Sequence, residues 1–387
     1  MADHNGMDCE KLVAIHGSER KAAKAVGMAR TTFQDLRNRQ KAGEIREPRT
    51  VGSDIEIRRL KGQLKAANER YNMALQEIEE WQSRVELIEP LGGAASSGWK
   101  PSKTTSREGT TAILVETDWH LEERIDSDVV NGMNVATPDI LAARVRRSID
   151  KGIEMIDAWR QSFKVDEIYL ALLGDMITGY IHEELEESNY LSPTEAIVLA
   201  EQLTVDAIDL LLRESGVKKL TVPCCHGNHG RTTKKKRIKT GHLNSFEWLL
   251  YKQLERRYAK SRQNVEFRVA NGIHNIQEIR GHVVRFHHGD SLKFNGGVGG
   301  ITIPANKAIH QWNRSIPAAL DVFGHWHQFL ETWNFVSCGC LIGYSDFALS
   351  IKAEFQPPTQ TLIFMSRSHG KVAALPIFVR EPKQESK

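Results

Sequence analysis

Cysteine is scarce in this chain. Its five cysteines (Cys9, Cys224, Cys225, Cys338 and Cys340) are an odd number among 387 residues, and their spacings, including the C-G-C of 338 to 340, fit no common zinc framework. They read as reduced, small apolar residues in or beside strands. Long hydrophobic runs are missing too, since none nears the ~20 residues that a membrane-spanning helix needs. The opening MADHNGMDCEKL carries early acids and no apolar stretch, unlike a secretory signal. The expectation is a soluble, cytoplasmic protein with no membrane contact. Charge of one sign is also lacking: 52 Lys and Arg against 49 Asp and Glu leave a net +3, too little to imply a nucleic-acid partner by itself.

Charge is concentrated locally instead. Arg20 to Arg49 holds nine basic residues against three acids, and Arg231 to Lys239 holds six with no acid. Within the first stretch, Ser18 to Ala25 reads as a helix, Val26-Gly27-Met28 as a turn and Ala29 to Arg39 as a second helix. Ala23, Gly27, Phe33 and Leu36 supply the small, turn-tolerant and apolar residues that two steeply crossing helices need. Residues 1–50 are therefore read as a helix-turn-helix module that presents Arg30, Thr31, Thr32, Gln34 and Arg37 to a DNA major groove.

From Ile57 the apolar positions step by three and four through Leu60, Leu64, Ala67, Tyr71, Ala74, Ile78, Trp81, Val85 and Ile88. A 3.5-residue period sustained over five heptads keeps one stripe facing a partner helix, whereas a helix docked on its own globular core drifts toward 3.6. Residues 54–90 are expected to form a coiled coil, joining two copies as a homodimer, with Pro90 ending the helix. Residues 91–109, rich in Gly, Ser, Thr and Lys without periodicity, read as a flexible linker. Residues 110–380 form the remaining domain.

In that domain one arrangement recurs: an apolar, β-branched run followed at once by a short polar cluster, in AILVETDWH, EIYLALLGD, KLTVPCCHGNH, HVVRFHHGD and ALDVFGHWH. Such runs suit strands buried on both faces, with helices over Asp139 to Trp159 and Pro193 to Glu214 as covers, which makes the fold class α/β. If the strands lie side by side in one sheet, their carboxyl ends converge and the five clusters become one site. Asp118, His120, Asp175, Asn228, His288, His325 and His327 are oxygen and imidazole donors that suit Mn²⁺, Fe²⁺ or Zn²⁺. Two divalent ions roughly 4 Å apart clamp a phosphoryl group and acidify water, which points to phosphate-ester hydrolysis.

The same residues resemble the motif series of the calcineurin-like metallophosphoesterases: Asp118-Trp119-His120, Gly174-Asp175, Gly227-Asn228-His229, His288 and Gly324-His325-Trp326-His327, in that order over about Thr110 to Val379. The resemblance implies a four-layer αββα sandwich. It also implies one ion on Asp118, His120 and His327, the other on Asn228, His288 and His325, with Asp175 bridging and His229 as general acid to the leaving oxygen. Of the adjacent pair His287 and His288, the second is chosen because it directly precedes Gly289. The chain departs from the pattern at Gly230, where the family carries Asp or Glu; either another carboxylate substitutes or the leaving group needs little help. NFVSCGCLIGYSDFALS and QTLIFMSRSHGKVAALPIFV read as further strands, the latter pair turning at Ser368-His369-Gly370, which complete the second sheet.

Arg231, Lys234, Lys235, Lys236 and Arg237 follow His229 directly, so they form a basic lip for a polyanion at the mouth of the site. His182 lies close after the Asp175 block, within reach of a phosphate or on a polar loop. The leading expectation is a metal-dependent nuclease or phosphodiesterase acting on DNA, similar to DNA repair exonucleases, in a modular arrangement that resembles phage-encoded proteins of the host cytoplasm. The alternatives are a phosphomonoesterase or protein phosphatase tethered to DNA, and a DNA-binding regulator or scaffold with a catalytically weak metal domain.

Overall fold

The computed structural model describes residues 7–43, 51–95, 108–261, 264–293 and 300–380. Residues 1–6 and 44–50 of the proposed helix-turn-helix segment, and 96–107 of the proposed linker, lie outside the described residues. The chain divides into two compact units, 1–103 and 104–387.

In the first unit three short helices, α1 (Cys9–His16), α2 (Glu19–Ala25) and α3 (Arg30–Lys41), close on Cys9, Ala22, Ala23 and Phe33, each at most 1% exposed. Asp8 and Ser18 cap α1 and α2 by accepting backbone N–H groups, and Gly27 makes the turn at φ +64. The sequence reading has no counterpart of α1, whose only buried residue is Cys9 and whose apolar stripe is short. α4 (Val51–Ala95) follows as one 45-residue helix, about 67 Å long at 1.5 Å per residue. It continues through Pro90, where the sequence reading ends it, and takes the first five residues assigned to the linker. A proline removes one i→i−4 bond and bends a helix without always stopping it. From 55 to 86 its side chains are exposed except for the half-buried Ile57, and Leu60, Leu64, Ile78, Trp81 and Val85 are all at least 50% exposed.

The second unit runs β1 (Gly109–Glu116), α5 (Pro138–Arg160), β2 (Lys164–Leu172), α6 (Glu183–Ser188), α7 (Pro193–Glu214), β3 (Leu220–Cys224), α8 (Phe246–Ser261), β4 (Val265–Val269), β5 (Asn275–Ile279), β6 (His282–His287), α9 (Thr302–Trp312), β7 (Leu320–Phe323), β8 (Leu330–Glu331), β9 (Phe335–Ser337), α10 (Asp346–Ser350), β10 (Thr359–Ser366) and β11 (Gly370–Phe378). It is a mixed α/β unit with two sheets, ordered β11-β10-β1-β2-β3-β4 and β5-β6-β7-β9-β8. The five apolar runs thus divide between two sheets, β1 to β3 in one and β6 and β7 in the other. Runs buried on both faces do not say which sheet they join.

Alternation along the strands builds the layers. Ala112 and Leu114 of β1, with Ile168, Leu170 and Leu172 of β2, face α5, α7 and α8, while Ile113, Val115, Tyr169, Ala171 and Leu173 face the second sheet. α9 covers the far side of that sheet through Ala305 and Ile309 on Phe323 and Phe335. α5 starts at the Thr137 cap with Pro138 in its first turn and buries Leu141, Val145, Ile149, Ile153 and Ile156 on one face. α7 starts at a capping box in which Ser192 and Glu195 satisfy one another's backbone N–H groups. Each fully buried Ile or Leu contributes about 1.5–3 kcal/mol, so these stripes are what hold the helices on the sheet.

One expectation is corrected. β10 and β11 do not complete the second sheet; β10 pairs antiparallel with β1 and β11 with β10, extending the first sheet. Every residue of β10 is buried, so its sequence does not discriminate between one sheet and the other. All five cysteines are free and buried, and no described helix is long and apolar enough to cross a membrane.

Candidate metal centre

β1, β2 and β3 are parallel, so their carboxyl ends emerge together, and the loops beyond them continue the ladder: Asp118 N–H donates to Gly174 O (3.0 Å), His120 N–H to Asp175 O (3.2 Å), and Cys225 N–H to Leu172 O (2.8 Å). The second sheet adds its tips where Gly324 N–H donates to His288 O (2.9 Å). The loops are packed backbone to backbone, since a Cβ on Gly174 would meet the backbone of Gly227 and one on Gly324 would meet Asp118 and Thr117. Close packing forces the chain into tight bends. Among the described residues, eight non-glycines have positive φ, and five of them are Asp118, His120, Asp175, His325 and His327. Clustered left-handed side chains cost about 1–3 kcal/mol each and mark positions held by function.

Two groups of donors result. Asp118, His120 and His327 bring ligand atoms within 4.8 Å of one another, as do Asp175, His288 and His325. Asn228 joins the second, its Oδ1 3.2 Å from His288 Nε2. His287 points the other way, against Phe323, Trp312 and His274.

The residues fit divalent cations. Asp118 Oδ2 accepts from Thr117 Oγ1 (2.8 Å) and from His325 N–H (2.9 Å), whereas its fully buried Oδ1 makes no hydrogen bond and has His327 Nε2 3.4 Å away. His120 Nε2 and His327 Nε2 face each other at 3.3 Å, an approach that needs a proton or a cation between two lone pairs. The second ring nitrogens of His120 and His288 are tied back. Glu123 accepts from the Thr178 hydroxyl (3.0 Å), which therefore accepts from His120 Nδ1–H (2.9 Å); His288 Nδ1–H donates to Leu173 O (2.8 Å). This is how metal-binding imidazoles are oriented, with the free nitrogen turned inward. In the second group burial, with help from His288, lowers His325 to about 4, while at His288 burial is outweighed by Asp175, 2.8 Å away, which lifts it to about 10.

His229 lies beside both groups, its ring 4.8 Å from that of His120. Its N–H donates to Asp175 Oδ1 (2.8 Å) and its Nδ1–H to Thr178 O (2.9 Å), so Nε2 is the free atom. Burial lowers its pKa against the pull of Asp175.

The sequence reading misses the supporting carboxylates. Glu122 accepts from Thr178 N–H and Gly179 N–H (2.9 and 2.7 Å), and burial raises both Glu122 and Glu123 to about 7. Their signal is the pair of acids closing D-W-H-L-E-E. Glu247 on α8, which burial raises to about 8, has no local signal in the sequence.

The basic lip is used unevenly. Arg231 donates to the carbonyls of Asn228 (2.6 Å), Thr233 (3.0 Å) and Lys234 (3.3 Å), and Lys236 pairs with Asp290. Lys234 is 3.6 Å from Glu183, both exposed. The side chains of Lys235 and Arg237 are exposed and make no ion pair among the described residues. The segment walls a cleft, open to solvent, that reaches His226, Asn228 and His288. His182 is exposed before α6. In the first unit Arg30, Thr31, Thr32 and Gln34 are exposed on α3, whereas Arg37 bonds Glu10 (2.9 and 3.0 Å) and Glu19 and so ties α3 to α1 and α2.

No protein-family model matches the chain, and no curated protein sequence matches it. Solved structures do. Similar ones include an archaeal phosphodiesterase (10% identity, 68% of this chain and 99% of that chain, TM-score 0.30). Vacuolar protein sorting 29 from Cryptosporidium parvum matches at 11% identity, over 69% and 97% of the two chains, with TM-score 0.28. A Thermus thermophilus sulfate thiohydrolase matches at 9%, over 70% and 57%, with TM-score 0.30.

Proposed function

We propose that the second unit is a calcineurin-like metallophosphoesterase that hydrolyses phosphodiester bonds, with DNA as the substrate. The observation that carries the metal reading is the buried Asp118 Oδ1, which lacks a hydrogen bond and has His327 Nε2 3.4 Å away, beside two imidazole nitrogens aimed at each other. Asp118, His120 and His327 would hold one divalent cation and Asn228, His288 and His325 the other, with Asp175 next to both; manganese suits this oxygen and imidazole set, as do iron(II) and zinc. Bound there, the cations neutralise phosphoryl oxygens and acidify the attacking water. His229 supplies the proton: Nδ1–H is committed to Thr178 O, so the proton given to the leaving oxygen is carried at Nε2.

The cleft beside Asn228 and His288 favours a polyanion. Its wall carries Arg237, and Lys235 lies exposed on the same segment, both side chains free to meet phosphates on either side of the scissile one. The exposed Arg30, Thr31, Thr32 and Gln34 offer a groove-reading face in the same chain. Two copies pair through α4, whose exposed Leu60, Leu64, Ile78, Trp81 and Val85 repeat at coiled-coil spacing.

The test is manganese-loaded protein on bis-p-nitrophenyl phosphate, p-nitrophenyl phosphate and end-labelled single- and double-stranded DNA, beside Asp175→Ala. A strong preference for the diester and metal-dependent cutting of DNA are expected. Preference for the monoester would move the assignment to a phosphomonoesterase, and DNA binding without cutting to a regulator.

A further inference from the structure

We infer that Glu247 of α8 is the carboxylate that this chain uses in place of the missing side chain at Gly230, and that it positions the two loops carrying Asp175 and Asn228. The inference rests on the metal-centre reading above. Glu247 is fully buried, and each of its oxygens takes one loop: Oε1 accepts from Met176 N–H and Oε2 from Gly227 N–H, both at 2.6 Å. Those donors are the immediate neighbours of Asp175 and Asn228. Both oxygens accept from backbone N–H groups, so one buried carboxyl group holds two loops in register.

The space is the decisive point. A Cβ at Gly230 would lie 2.8 Å from Glu247 Cγ and 3.0 Å from its Cδ, so the helix residue fills the volume into which a side chain at 230 would project. Gly230 is not in the left-handed region, which leaves Glu247 as the obstacle to a larger residue there. The start of α8 is anchored at the same spot, where Phe246 N–H donates to Gly230 O (2.8 Å) and Arg231 bridges to Ser245. The carboxylate has moved along the sequence but not in space.

That equivalence is testable as a cycle. Glu247→Gln keeps the volume but replaces one accepting oxygen by an NH₂ that faces a backbone N–H; calorimetric titration with Mn²⁺ should show affinity lowered about 10–100-fold, as for other groups that orient ligands, with the melting temperature kept within a few degrees and kcat recovering at saturating Mn²⁺. Gly230→Asp alone should also bind Mn²⁺ more weakly, because it collides with Glu247. Gly230→Asp combined with Glu247→Ala should return to within about threefold of the unchanged protein, far better than the product of the single losses. Losses that multiply, a double variant that does not fold, or a Glu247→Gln that binds Mn²⁺ as tightly as the unchanged protein would each overturn the inference. Failure of the unchanged protein to bind two Mn²⁺ would instead overturn the metal-centre reading on which it rests.

Discussion

Two loop regions meet at the mouth of the cleft, and they differ in how the chain uses them. The loops ending β1, β2, β6 and β7 are buried or half-buried, left-handed at five side chains and packed without room for a Cβ at Gly174, Gly289 and Gly324. The run Arg231 to Lys239 is mostly exposed, and three of its cations meet the protein itself, Arg231 on three carbonyls, Lys236 on Asp290 and the exposed Lys234 on Glu183. Shape fixes the first region and charge decorates the second. A residue's type therefore says more about its role where the backbone leaves it one position than where solvent leaves it many.

Mutations should separate the two. Asp175→Ala, in the packed loops, is expected to reduce kcat/KM roughly 10³-fold or more on every phosphoester, about 4 kcal/mol of barrier, measured with saturating Mn²⁺. His229→Asn should lower kcat about 10²-fold on DNA, whose alkoxide leaving group needs a proton, and far less on bis-p-nitrophenyl phosphate, whose phenolate does not. Equal losses on both would remove the general-acid role. Arg231→Ala should cost about tenfold on both substrates, because it frees the carbonyl of Asn228; an effect confined to DNA would place Arg231 with the surface charges after all. Lys235→Ala with Arg237→Ala should raise KM for DNA a few-fold at low salt, flatten its salt dependence by about two units of log–log slope, and leave bis-p-nitrophenyl phosphate unchanged.

Much of the packed region was legible in the sequence because its constraints are local. The apolar runs end where β1, β2, β3, β6 and β7 end, and the polar clusters after them supply all of Asp118, His120, Asp175, Asn228, His288, His325 and His327 to two adjacent groups. The spacing of apolar residues likewise locates α5 and α7 to within a residue or two. What was not legible depends on contacts between distant segments. Nothing in β10 distinguishes the first sheet from the second, because all eight of its residues are buried either way. Glu247 comes from a helix with no motif around it, and Arg37 and Arg231 read as surface cations until Glu10, Glu19 and the Asn228 carbonyl are seen to hold them. A charge run advertises its sign but not its partners.

The central claim is that these strand tips form a two-cation centre. Anomalous diffraction from crystals grown with Mn²⁺ addresses it directly: two peaks are expected, one bonded to Asp118, His120 and His327 and one to Asn228, His288 and His325, both lost in Asp175→Ala. A single peak elsewhere in the chain, or none at full Mn²⁺ saturation, would contradict it.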